Sequence, residues 1–162
     1  MPRRSPVDPK SLELVEAAFV CDFLRVRELL GAGAHPDARD EDQRTTIFSA
    51  VLGNSVGVLG LLLEAGADVN ARDTHGWTAL HFAASEHLPE MAQLLVGSGA
   101  DVNLQDEDGA TPLWRAVQGA HGRADVIQLL RDKGAKDDIP NNVGETPRAL
   151  AERLGDPVFT AN

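Results

Sequence analysis

The stretch LLEAGADVNARDTHGWTALHFAA, Leu62 to Ala84, joins a Leu-rich run to an Ala-rich one through a polar segment. It decides the fold because it recurs. LLGAGAHPDARD, LLEAGADVNARD and LVGSGADVNLQD place Gly33, Gly66 and Gly99 at intervals of 33 residues. A fourth copy, LRDKGAKDDIPN, carries Gly134 after 35. A second anchor keeps the same register: Thr45, Thr78 and Thr111 are 33 apart, and Thr146 follows after 35. Self-similarity at this period marks stacked supersecondary units, none of which buries its apolar face alone.

Each copy has the same physical plan. Thr caps a short helix, and Pro at the next position, Pro112 or Pro147, suits its first turn. Small residues such as Ala83 and Ala84 let neighbouring helices approach closely. A Leu-rich second helix follows and ends on Gly, the residue best suited to a left-handed C-cap. The polar segment then makes an extended excursion to the next unit.

Composition agrees. The chain has 162 residues, 43% hydrophobic but only 4% aromatic, so its core is built from Ala, Leu and Val. A net charge of −10 argues against a nucleic-acid partner, because phosphate backbones are held by Lys and Arg. A single Cys, Cys21, permits no internal disulfide. The N-terminal MPRRSPVDPK is charged with no apolar run after it, and no stretch has the length of a membrane span. These features predict a cytoplasmic protein that is monomeric when free and has no membrane partner.

The period, GWTALHFAA and GADVNARD closely resemble the ankyrin repeat family. The resemblance implies an all-α solenoid of helix-turn-helix repeats with hairpin-like loops. It covers residues 11–155 as one domain between tails at 1–10 and 156–162. The expected units are 11–39, 40–72, 73–105, 106–140 and 141–155, with the first and last as end units. The second unit departs from the motif: Gln43 replaces its Gly, Thr46 its Pro and Phe48 its His. Its second helix carries Gly57 and Gly60. The fourth has Trp114 at the His position and a two-residue insertion within QGAHGRAD. Cys21 occupies the inter-helix Gly position and reads as a packing residue.

Chemistry-bearing residues do not assemble into a reactive set. His75, His81 and His87 are six apart, which is not the spacing of ligands on one helix face. The resemblance assigns His81 a hydrogen bond to backbone between units. The Gly residues follow the repeat and form no phosphate loop. DEDG offers too few oxygens for calcium. The expectation is no catalysis, no metal and no cofactor.

The charge is unevenly placed. Residues 40–110 hold twelve acidic residues and two basic ones, and the flanks balance to zero. In the family, loop tips and first helices line a concave, partner-binding face. Carried onto this chain, the loop positions are Glu41, Asp42 and Arg44, then Thr74, His75 and Trp77, then Glu107, Asp108 and Ala110. Arg39, Arg72 and Gln105 precede the loops. Trp77 stands in the variable slot between Gly76 and Thr78, where a side chain either anchors a partner or lies flat on a neighbouring loop. The expected function is non-catalytic protein binding on an acidic concave face against a basic partner surface. Small acidic ankyrin proteins are similar to inhibitors such as immunity proteins that neutralise a toxin. The alternative is an adaptor or scaffold bridging two proteins.

Overall fold

A computed structural model describes residues 9–119 and 123–160. Ten helices form among them, paired as antiparallel hairpins. The first helices of successive units are α1 (Pro9–Phe19), α3 (Thr46–Leu52), α5 (Ala79–Ser85), α7 (Pro112–Gln118) and α9 (Pro147–Leu154). The second helices are α2 (Phe23–Gly31), α4 (Val56–Glu64), α6 (Pro89–Gly97), α8 (Asp125–Asp132) and the short α10 (Pro157–Thr160). First helices pack on first helices from α1 to α9, and second on second from α2 to α8. The fold is an all-α repeat solenoid.

The small first helices explain this contact pattern. Ala50, Ala83 and Ala116 are fully buried between neighbours, where a larger side chain would hold the helices apart. Leu59, Leu62, Leu95 and Leu130 supply the bulk from the second helices. Burial is worth about 25 cal/mol per Å² of apolar surface, so the continuous Leu and Ala seam is the main source of stability.

Each loop is built by one side chain. Asp40, Asp73, Asp106 and Asn141 each accept, through Oδ1, the backbone N–H four residues on, at 2.9 Å. Their own N–H groups close the hairpin onto the carbonyl of that same residue, at 2.9–3.0 Å. The tips then join one another: Thr74, Glu107 and Asn142 donate to the carbonyls of Asp42, His75 and Asp108. This close approach requires glycine at Gly76 and Gly109, both at positive φ. A Cβ on Gly76 would lie 2.9 Å from Glu107 N, and one on Gly109 2.5 Å from Asn142 Oδ1.

The second unit lacks several of these devices. Gln43 takes φ +62° at the glycine position. Thr45 makes no side-chain cap bond, whereas Thr78, Thr111 and Thr146 each cap their helices. The Thr46 hydroxyl donates to the Pro36 carbonyl in place of the motif's proline. Cys21 holds φ +62° with Asn54 and His87 at the equivalent turns, and its Sγ donates to Gly53 O at 3.0 Å. The first helix starts at Pro9, ahead of the expected boundary at 11. Order also continues past 155: Phe159 packs against the core and lies under the Arg131 guanidinium. Part of the inserted stretch, residues 120–122, lies outside the described residues.

Candidate partner-binding groove

The loop tips and residues of α3, α5 and α7 line a groove of about 400 Å³. Phe48, Leu52, Trp77 and Phe82 form its apolar floor; Asp73, Glu107 and Asp108 lie at its acidic edge. Arg44, His75 and Arg115 complete it. The Phe48 and Phe82 rings touch with centroids 5.6 Å apart, so one aromatic surface spans two units.

Trp77 faces a cation of the next unit. It is half-buried, and the Arg115 guanidinium of the next unit sits 4.8 Å from its ring centroid. Arg115 is held in place from several sides. Its Nε and Nη2 donate to Asp106 Oδ2 at 2.8 and 2.6 Å, and Nη2 also donates to Asp108 Oδ2 at 2.6 Å. The Trp114 ring centroid also lies 5.3 Å from it. Two carboxylates and two indoles thus fix one cation, and that cation fixes the angle of Trp77.

The groove gathers Arg44, His75, Trp77, Glu107 and Asp108 from the loop residues named above. Three others serve the stack. Arg39 Nη1 donates to the carbonyls of Gln43 and Arg72, and Arg72 donates to those of Gly76 and Gln105. Gln105 Nε2 donates to those of Gly109 and Pro140. At 33-residue intervals these side chains tie each loop to the next. Ala110 is buried, and its carbonyl faces His81. Glu41, Asp42 and Thr74 are exposed beside the groove without lining it. Phe48, Leu52, Asp73, Phe82 and Arg115 also line it and were not among those loop positions. For Phe82 and Arg115 a signal was present: with Ser49 they recur every 33 residues at one position of successive first helices.

Electrostatically the rim is mixed. Asp42 pairs with Arg44 at 3.0 Å and Asp108 with Arg115, while Glu41 and Glu107 have no ion pair among the described residues. Glu64, Glu86, Glu90 and Asp101 sit on exposed turns and second helices, outside the groove. Below the rim, His81 is buried and neutral. Its Nδ1 accepts the Thr78 N–H at 3.1 Å, which requires the proton on Nε2, donated to Ala110 O at 3.1 Å. Burial lowers its pKa to about 4, against the opposing charge of Asp106. His87 gives its Nε2–H to Ala116 O, and burial lowers its pKa as well. Among the described residues no cluster of His, Cys, Asp and Glu could hold a metal ion, and no helix is long and apolar enough to cross a membrane.

Side-by-side helical hairpins, a laddered row of loops and an aromatic concave groove define a repeat solenoid that presents a protein-interaction surface. The family model for ankyrin repeats in three copies matches residues 14–106 and 86–158, and the chain belongs to the ankyrin repeat family. Such stacks are protein–protein interaction modules and generally non-catalytic. No curated protein matches the chain.

Proposed function

We propose that this protein binds another protein through the concave groove and acts by occupying it, without catalysis. The observation that carries this reading is the aromatic floor of the groove, where Trp77 and Phe82 stay partly open over buried Phe48 and carboxylates lie at the edge. A preformed surface adds little ordering cost on binding, so apolar contact converts efficiently into affinity. The acidic edge favours a basic partner surface, and Glu41 and Glu107 carry charge not already spent on an internal pair. Blocking the working surface of a basic enzyme, as an immunity protein blocks a nuclease-like toxin, is the inhibitory form of this function.

The test is affinity capture with the intact protein and with Trp77→Ala, followed by mass spectrometry and an activity assay of the captured protein. A basic protein retained by the intact chain, lost with Trp77→Ala and inactive while bound supports the reading. Equal capture by both places binding elsewhere.

A bridging adaptor is the second reading. Val20, Phe23 and Leu24 are exposed at the α1–α2 turn, at the end of the hairpin opposite the loop tips. They form a second apolar patch. A ternary complex that loses one member with Leu24→Ser and the other with Trp77→Ala would establish bridging.

A further inference from the structure

The groove does not stop at the second unit. A second depression of about 390 Å³ lies between α1 and α3, with Leu12, Val15 and Phe19 on one side and Ser49 and Leu52 on the other. Arg44 and Leu52 line both depressions, so they are two ends of one trough. The repeat register shows the same continuity. Glu16, Ser49, Phe82 and Arg115 recur at 33-residue intervals, and the first two line one depression, the last two the other.

The exposed apolar surface is concentrated at this end. Of eight large apolar side chains exposed among the described residues, five belong to the first unit. Leu12 and Phe19, at 49% and 54% exposure, face the second depression. An end unit that only closed the stack would present polar residues outward. Carboxylates edge both depressions, Glu16 and Asp40 at one and Glu107 and Asp108 at the other. Between them Arg44 pairs with Asp42, and its buried Nε has no partner among the described residues.

We infer that the part of the partner held here is one extended, basic segment, which crosses the concave face and places one large apolar side chain in each depression. This deepens the partner-binding reading and rests on it. Packed helices lie 8–10 Å apart, which sets the two depressions roughly 15 Å from each other. An extended chain rises about 3.3 Å per residue, so the two anchors are about five residues apart. Lys or Arg between and beside them meets the carboxylates at both ends.

The experiment is a selection of random 12-residue peptides displayed on phage against the full chain. Enriched peptides are then synthesised and their affinities measured for the parent protein, Phe19→Ser, Glu16→Lys and Trp77→Ala. Phe19 and Glu16 are exposed, and unchanged circular dichroism and melting confirm folding. The expected result is basic peptides with two large apolar residues about five apart, weakened at least tenfold by Phe19→Ser and by Trp77→Ala. Removing one apolar residue should abolish sensitivity to only one of those substitutions. Peptides that respond to Trp77→Ala but not to Phe19→Ser or Glu16→Lys would overturn the two-anchor trough and leave the partner-binding groove standing. Failure to enrich any peptide sensitive to Trp77→Ala would overturn the extended segment, whereas equal capture of the partner by the parent protein and Trp77→Ala would overturn the groove reading beneath it.

Discussion

With Nδ1 occupied by the Thr78 N–H and the Nε2 proton given to Ala110, the His81 ring has no place for a second proton. Its folded pKa, about 4, lies below the unfolded value near 6.5, so the unfolded chain binds more protons between those values. Stability should therefore be fully present above pH 6.5 and fall as pH drops toward 4, by about 3 kcal/mol at most. His87 acts in the same direction. Urea denaturation at pH 7 and pH 4.5 checks this, and His81→Gln should flatten the difference; equal midpoints at both pH values would refute it. At Trp77 the two roles of the ring separate. Trp77→Ala removes a contact with Arg115 that is already fixed by Asp106 and Asp108, so the fold should survive. Partner affinity should fall by roughly 2 kcal/mol or more, in the range of interface hot spots. Calorimetry with the captured partner measures that loss, and unfolding of the variant would make the ring structural.

At the level of elements, the α3–α4 hairpin should be the weak repeat. It combines an uncapped Thr45, Gln43 at positive φ and two glycines within α4. A Cβ at Gly60 meets nothing within 4 Å. Gly60→Ala should stabilise by roughly 0.5–1 kcal/mol, read as a higher denaturation midpoint at constant slope. Gln43→Gly should gain about 1 kcal/mol by relieving the left-handed backbone. Amide exchange should be faster across residues 45–63 than across α5 and α6. Exchange that is slowest at 45–63 would contradict this.

Over the whole molecule, charge and anchoring act at different stages of association. Asp42 and Asp108 hold Arg44 and Arg115 in place, so reversing them would disturb the groove itself. Glu41 is exposed beside the groove with no such partner among the described residues, and reversing it isolates long-range attraction. Glu41→Lys should slow association with a basic partner and flatten its salt dependence, leaving dissociation nearly unchanged, whereas Glu107→Lys, at the groove's edge, should also speed dissociation. Stopped-flow rates at two ionic strengths decide it. A change confined to the dissociation rate would reveal direct contacts instead of steering.

The repeat and the helical hairpin within it were legible in the sequence, because the 33-residue spacing of Gly and Thr reports local requirements. A cap, a left-handed turn and a close helix crossing each need one residue type at one position. Gly76 shows this, since both its φ and the backbone of Glu107 exclude a side chain. The lining of the groove was legible only in part. Arg39, Arg72 and Gln105 look like neighbours of a partner site in sequence, but in space they reach carbonyls of the next unit. Phe82 and Arg115 lie in helices that read as packing, and stacking turns both toward the groove. Spacing along the chain specifies what each unit is. Which side chains line the groove depends on how neighbouring units close over them, and that is decided by contacts between residues about 33 positions apart.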